Sequence, residues 1–219
     1  TPQTGKIGDG WAYAYDAEKI SGIKQTHQPS PWINDYGQFA VMPITGKRVF
    51  QAEDRASWFA HKAEKAFPYF YSVYLAEHDT TVEVAPTERA AIFRVTYPKT
   101  EAAYVVVDAF DKGSYVKILP EQRKVIGWST RNSGGVPANF KNYFVMVFDQ
   151  PFVSASVWQD KALKEGQLEI QDDHAGALVQ FKAAARGDRV HFRVASSFIS
   201  AAQAELNLRE LGDDTFDTV

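Results

Sequence analysis

The sequence predicts a mostly β chain folded as an antiparallel sandwich, and three observations carry that prediction. Aromatic residues are abundant, 10 Tyr, 15 Phe and 5 Trp among 219 residues, a load that suits sheet faces better than helix faces. Apolar residues recur with period two over several short runs. Turn residues separate those runs at short spacing with no helical periodicity between them, which favours a sandwich over strands alternating with crossover helices.

In chain order, the first distinctive stretch is SGIKQTHQPSPWINDYGQF at 21–39, which reads as neither helix nor strand. Pro29 and Pro31 fix their own φ and push Gln28 and Ser30 towards extended backbone, so the segment loses less entropy on ordering than a glycine loop would. Thr26, His27, Gln28, Ser30, Asn34 and Asp35 supply donors and acceptors, while Trp32 and Tyr36 supply flat apolar faces. That inventory suits a sugar, whose ring offers a C–H face for stacking and a rim of hydroxyls for hydrogen bonds. The same side chains would also serve a loop folded over the sandwich, with His27, Gln28 and Asp35 satisfying backbone groups and Trp32 plugging the end.

In HKAEKAFPYFYSVYL, His61 and Glu64 stand three apart, which brings them together on a helical turn. No His-Glu-x-x-His pattern or third ligand accompanies them, so a salt-linked pair at the start of a strand is expected. AAIFRVTYP sends Phe93, Val95 and Tyr97 to one face and Arg94 and Thr96 to the other, a half-buried strand. ALVQFKAA sets Val179 and Phe181 against Gln180 and Lys182, and DRVHFRVA sets Val190, Phe192 and Val194 against His191 and Arg193. YVVVDAF and NYFVMVFD are apolar on both faces, as inner strands covered on each side would be. Turns are expected at FDKG (110–113), NSGGVP (132–137), KEGQ (164–167) and ARGD (185–188). Asp172, Asp173 and His174 in QDDHAG could ligate a metal, but such a cluster between strands is expected as a solvated turn. The end changes character: SAAQAELNLREL is a helix with Ala204, Leu208 and Leu211 on one stripe, Gly212 to end it and Asp213 or Asp214 to cap another. An apolar stripe with nothing downstream to cover it is expected to belong to a larger protein.

Several functions are disfavoured. The formal charge is −3 and Lys and Arg form no stripe, so nucleic acid is not an expected partner. There is no cysteine for disulfides, thiolate metal sites or a thiol nucleophile. No apolar stretch approaches the length of a membrane span, and no signal-like start is present, so a soluble chain, mature or cut from a longer one, is expected. STRNSGGVP lacks the Gly-Lys-Ser/Thr ending of a phosphate loop, and no Gly-x-Ser-x-Gly elbow occurs. No two carboxylates stand out as an acid and base.

Four segments in order, SGIKQTHQPSPWINDYGQFAVMP, HKAEKAFPYFYSVYL with TVEVAPTERAAIFRVTYP, NYFVMVFDQPF, and AELNLREL with the following Phe216 and Asp217, resemble the N-terminal domain of glycoside hydrolase family 92, the bacterial exo-acting α-mannosidases. The resemblance runs over nearly the whole chain. It implies a galactose-mutarotase-like supersandwich over 1–200 and, over 201–219, the start of a helical linker to an (α/α)6 catalytic domain. It implies a secreted or periplasmic, calcium-dependent enzyme that inverts configuration as it removes terminal α-linked mannose, with the acid, the base and the calcium ligands mainly in the helical domain. Inversion needs two carboxylates spaced to admit a water, and this chain is expected to supply neither and to hold no metal. Its implied partners are an α-mannoside glycan and that catalytic domain, with no nucleic acid and no membrane. The loop at 21–39 matches the segment implied to wall the substrate pocket. Within it, Trp32 is expected to stack on the sugar, His27, Gln28 and Asp35 to bond or support it, and Ser30 and Glu64 to stand behind them. One departure is Tyr69 after Pro68, where the family pattern has glycine. Two other readings stay open on the residues alone: a free-standing carbohydrate-binding module using the same loop, and a sandwich that only braces a neighbour.

Overall fold

The structure, a computed structural model, describes residues 2–3, 13–25, 39–132 and 134–219. Two antiparallel sheets pack face to face. One has seven strands in the order Pro2–Gln3, Gly22–Lys24, Ala40–Thr45, Thr100–Asp108, Ala175–Ala183, Ser154–Gln159 and Ala162–Lys164. The other has nine, in the order Glu169–Asp172, Ser114–Leu119, Lys124–Ser129, Asn142–Phe148, Arg189–Ser197, Ala90–Thr96, Thr80–Pro86, Phe70–Leu75 and Lys65–Phe67. The mostly β sandwich expected from the aromatic load and the alternation is the observed architecture.

Alternation along each strand decides which side chains meet between the sheets. Val41, Val107, Ala177 and Val157 form one inward row across the seven-stranded sheet. Phe181, on the same face, meets Phe148 at 5.4 Å and Phe152 at 5.7 Å, while Phe192 stacks on Phe93 at 4.7 Å. Each such ring contributes about 1.5–3 kcal/mol on leaving water, so this phenylalanine cluster is the centre of the core.

Strand Thr100–Asp108 is central in its sheet and buried from Tyr104 to Asp108, as its two-faced apolar pattern requires. Its outer face is covered by the segment after Thr45, in which Phe50 stacks on Trp158 at 5.1 Å. Gly176, between Asp108 and Trp158 in register, makes that cover possible. A Cβ on Gly176 would lie 2.1 Å from the Trp158 ring and 2.3 Å from the Val107 carbonyl. The indole can cross the sheet only over a residue with no side chain.

Phe93, Val95 and Tyr97 face the core and Arg94 and Thr96 face outwards, as the alternation predicts. Ile92 is buried as well, because the C-terminal helix Ala201–Leu208 and the turn Arg209–Leu211 lie over that part of the sheet. Ser200 caps the helix by accepting from the Gln203 N–H at 3.1 Å. Ala204, Leu208 and Leu211 pack on Ile92, Val145 and Ala195. The apolar stripe is therefore covered by the sandwich itself, which corrects the inference that it needs a cover further along the chain. Gly212, at φ 47°, follows the last helical turn as expected, but turns rather than a second helix come after it. Phe216 completes this cluster under the Arg94 guanidinium, 4.0 Å away.

The turn at 132–137 joins neighbouring strands of one sheet, whereas those at 110–113, 164–167 and 185–188 carry the chain from the seven-stranded sheet to the nine-stranded one. Among the described residues no helix is long and apolar enough to cross a membrane.

Candidate functional site

Lys24 ends one strand directly opposite Ala40, which begins the next, and Ala40 is in turn in register with Asp108. The strands that flank residues 26–38 thus end and begin side by side at one end of the seven-stranded sheet. Thr26, His27, Gln28, Ser30, Trp32, Asn34, Asp35 and Tyr36 lie outside the described residues. What is described is the ground from which they spring. Lys24 and Gln25 on one stem and Phe39 on the other line a cavity of about 610 Å³. Its floor is apolar, from Ile23, Val41, Phe93 and Val194, and its mouth carries Tyr13, Tyr15, Glu64 and Tyr71.

Glu64 follows the short turn His61–Ala63 and precedes the edge strand Lys65–Phe67, so the expected pair at the start of a strand is present. His61 Nδ1 is 2.9 Å from Glu64 Oε2. The Tyr71 hydroxyl donates to Oε1 at 2.6 Å and the Tyr13 hydroxyl to Oε2 at 3.2 Å. Burial, reinforced by this carboxylate, pushes the Tyr13 hydroxyl up to about 12 and the Tyr71 hydroxyl higher still. The hydrogen bond that His61 gives to Glu64, with the one it gives to the Tyr15 carbonyl, raises the imidazole above its usual range. Three donors on one carboxylate make Glu64 a fixed acceptor that organises the cavity mouth. Tyr69, at the tip of the next hairpin, stacks on Phe67 at 5.7 Å and does not adopt positive φ, so this turn has no need of glycine.

Behind the stems lies a buried polar set. Arg55, fully buried, places Nη1 2.8 Å from Asp108 Oδ2 and donates from Nε to the Ser21 carbonyl at 2.7 Å. Asp108 Oδ1 accepts from His174 Nε2 and from the Phe110 N–H, each at 2.9 Å. Burial alone would raise Asp108, but Arg55 and His174 outweigh it and hold the carboxyl well below the usual range. Burial lowers His174, but its bond to Asp108 together with the charges of Asp108 and Asp111 outweighs burial and leaves it raised. The turn at QDDHAG is thus only partly the solvated one expected: Asp173 is exposed, while His174 points inwards to Asp108. Asp172 Oδ2 accepts from Gln159 Nε2 at 2.7 Å. Among the described residues no group of three or more His, Asp or Glu could hold a metal ion.

Phe110 has φ 58°, a conformation that costs a non-glycine residue energy and that its N–H bond to Asp108 helps to hold. Its ring carries Lys24 at 4.6 Å and Arg131 at 4.7 Å. Burial and the neighbouring Arg131 lower Lys24 to about 8. Sequence reasoning missed Tyr13, Tyr15, Tyr71, Lys24, Arg55 and Phe110. Only Asp108 had a signal, as the lone polar residue of an otherwise apolar strand.

The comparisons agree with this architecture. The family description "Glycosyl hydrolase family 92 N-terminal domain" matches residues 1–197. An inverting family GH92 mannosidase from Bacteroides thetaiotaomicron has 42% identity and a TM-score of 0.92, covering 99% of this chain and 29% of its own. A family GH92 α-mannosidase from the same bacterium, solved with mannoimidazole, has a TM-score of 0.89 at 24% identity, covering 100% of this chain and 31% of its own. A further GH92 glycosyl hydrolase has a TM-score of 0.80 at 26% identity, over 99% of this chain and 31% of its own. No protein with a curated description matches. The chain spans about 30% of the length of these solved relatives. With its two-sheet sandwich matched along residues 1–197, the chain belongs to glycosyl hydrolase family 92, as its N-terminal domain.

Proposed function

We propose that the chain is the non-catalytic part of a secreted or periplasmic exo-α-mannosidase, and that its cavity end forms one wall of the substrate pocket. The observation that carries this reading is that both stems of the segment 26–38 line a cavity whose half-buried carboxylate, Glu64, already accepts three hydrogen bonds. The match to a mannosidase at 42% identity supports mannose as the sugar. Inverting hydrolysis needs one carboxylic acid to protonate the glycosidic oxygen and a second carboxylate, about 6.5–9.5 Å away, to activate water. We assign both to the remainder of the protein. The task of this chain is to bind and orient: Trp32 stacks beside the leaving sugar, His27, Gln28 and Asp35 bond its hydroxyls or support those that do, and Ser30 and Glu64 stand behind them. Calcium belongs to the intact enzyme. Among the described residues no group of three or more His, Asp or Glu would hold it.

Residues 1–219 alone should release no mannose from an α-mannoside, and the same chain extended through the helical domain should release it with calcium present. Turnover by the shorter protein would overturn the division of labour.

A further inference from the structure

Tyr15 is 73% exposed, yet its ring is held more firmly than an exposed side chain needs to be. One face lies parallel to the His61 imidazole, centroids 4.1 Å apart and planes 3° from parallel. His61 Nε2 donates to the Tyr15 carbonyl at 2.8 Å, and Nδ1 lies 2.9 Å from Glu64 Oε2. Both partners are acceptors, which favours the imidazolium, the form that attracts the tyrosine face. Phe59 closes the far side of the imidazole edge-on at 5.1 Å. Glu64 is anchored in turn by Tyr13 and Tyr71.

We propose that Tyr15 is a saccharide-stacking platform, whose open face at the cavity mouth takes the C–H face of a pyranose ring in a bound glycan. A tyrosine that merely tied residues 13–15 to the sandwich would bury its ring; this one leaves most of it to water. A flat, immobile, half-covered aromatic gains most from a ligand that is flat and apolar on one side and hydroxylated at its rim. The neighbouring volume, about 610 Å³, is of the size that takes such a ligand. Because the ring stands at the mouth, it meets a sugar further along the glycan than the one held deepest. That the sugar is a mannoside rests on the function proposed above; the stacking face does not.

The test is saturation-transfer NMR on this chain with linear α-mannotriose and, in parallel, cellotriose, using amide spectra to show that each variant is folded. The expected result is transfer to sugar ring protons with an affinity on the order of millimolar, since one wall gives a small interface. Tyr15→Ala should weaken it at least about fivefold, and Tyr15→Phe, which keeps the ring, should stay within about twofold. Equal binding of both trisaccharides with the same dependence on Tyr15 would keep the platform and remove the mannoside identity. No transfer from the unsubstituted chain, or unchanged affinity in folded Tyr15→Ala, would overturn the platform. Should Tyr15→Ala fail to fold, Tyr15→Leu, which keeps apolar bulk without a flat face, takes its place with the same expected loss.

Discussion

Asp108 stands alone as a polar residue in YVVVDAF, and its neighbours explain why a carboxylate is tolerated there. Arg55 and His174 neutralise it, and in return it gives a counter-charge to a guanidinium that has no access to solvent. Asp108→Asn should destabilise the chain by about 3–5 kcal/mol in urea titration, because it leaves Arg55 buried without a counter-charge. The pH dependence follows from the two shifts. Asp108 is depressed, so its contribution is complete above the unfolded value of about 4 and fades as pH falls below it. His174 is raised, so its contribution is complete below about 6.5 and is lost as pH rises through its folded value. Stability from this set should therefore be greatest between about pH 4 and 6.5, and His174→Gln should flatten the decline on the alkaline side. None of this is visible in the sequence, because Arg55, Asp108 and His174 are brought together only by pairing between distant strands.

At the scale of elements, period two was enough to place the strands around Phe93, Val179 and Phe192 and to assign their faces. It could not say that Ile92 would be covered from outside, since that depends on where the C-terminal helix docks. Leu211→Ala should cost about 2–4 kcal/mol, as expected for a cavity between that helix and the sheet, and a truncated stripe would show in the thermal midpoint. Gly176→Ala should cost more than about 2 kcal/mol, because the added carbon meets both an indole and a backbone carbonyl that cannot move aside. The composition of the loop at 21–39 suggests a recognition element, and that remains a proposal; what the structure adds is that its stems border the cavity. The mouth formed by Tyr13, Tyr15 and Tyr71 was not legible, because single tyrosines carry no spacing that marks a shared carboxylate.

For the molecule as a whole, the division between recognising and reacting is what experiments on the extended enzyme can probe. Trp32→Ala there should lower kcat/KM by at least about tenfold with little change in melting temperature, if the loop touches sugar. A fall in melting temperature with kcat/KM preserved would mean that the sandwich only braces its neighbour. The topology has one more implication. Strand Thr100–Asp108 finds its second neighbour only in Ala175–Ala183, and strand Ala90–Thr96 finds its own only in Arg189–Ser197. Two late, consecutive strands, one in each sheet, are thus the keystone of both layers. During synthesis, more than three quarters of this domain must leave the ribosome before either layer can close, so the nascent chain waits, with its aromatic interior open to chaperones, for those final strands.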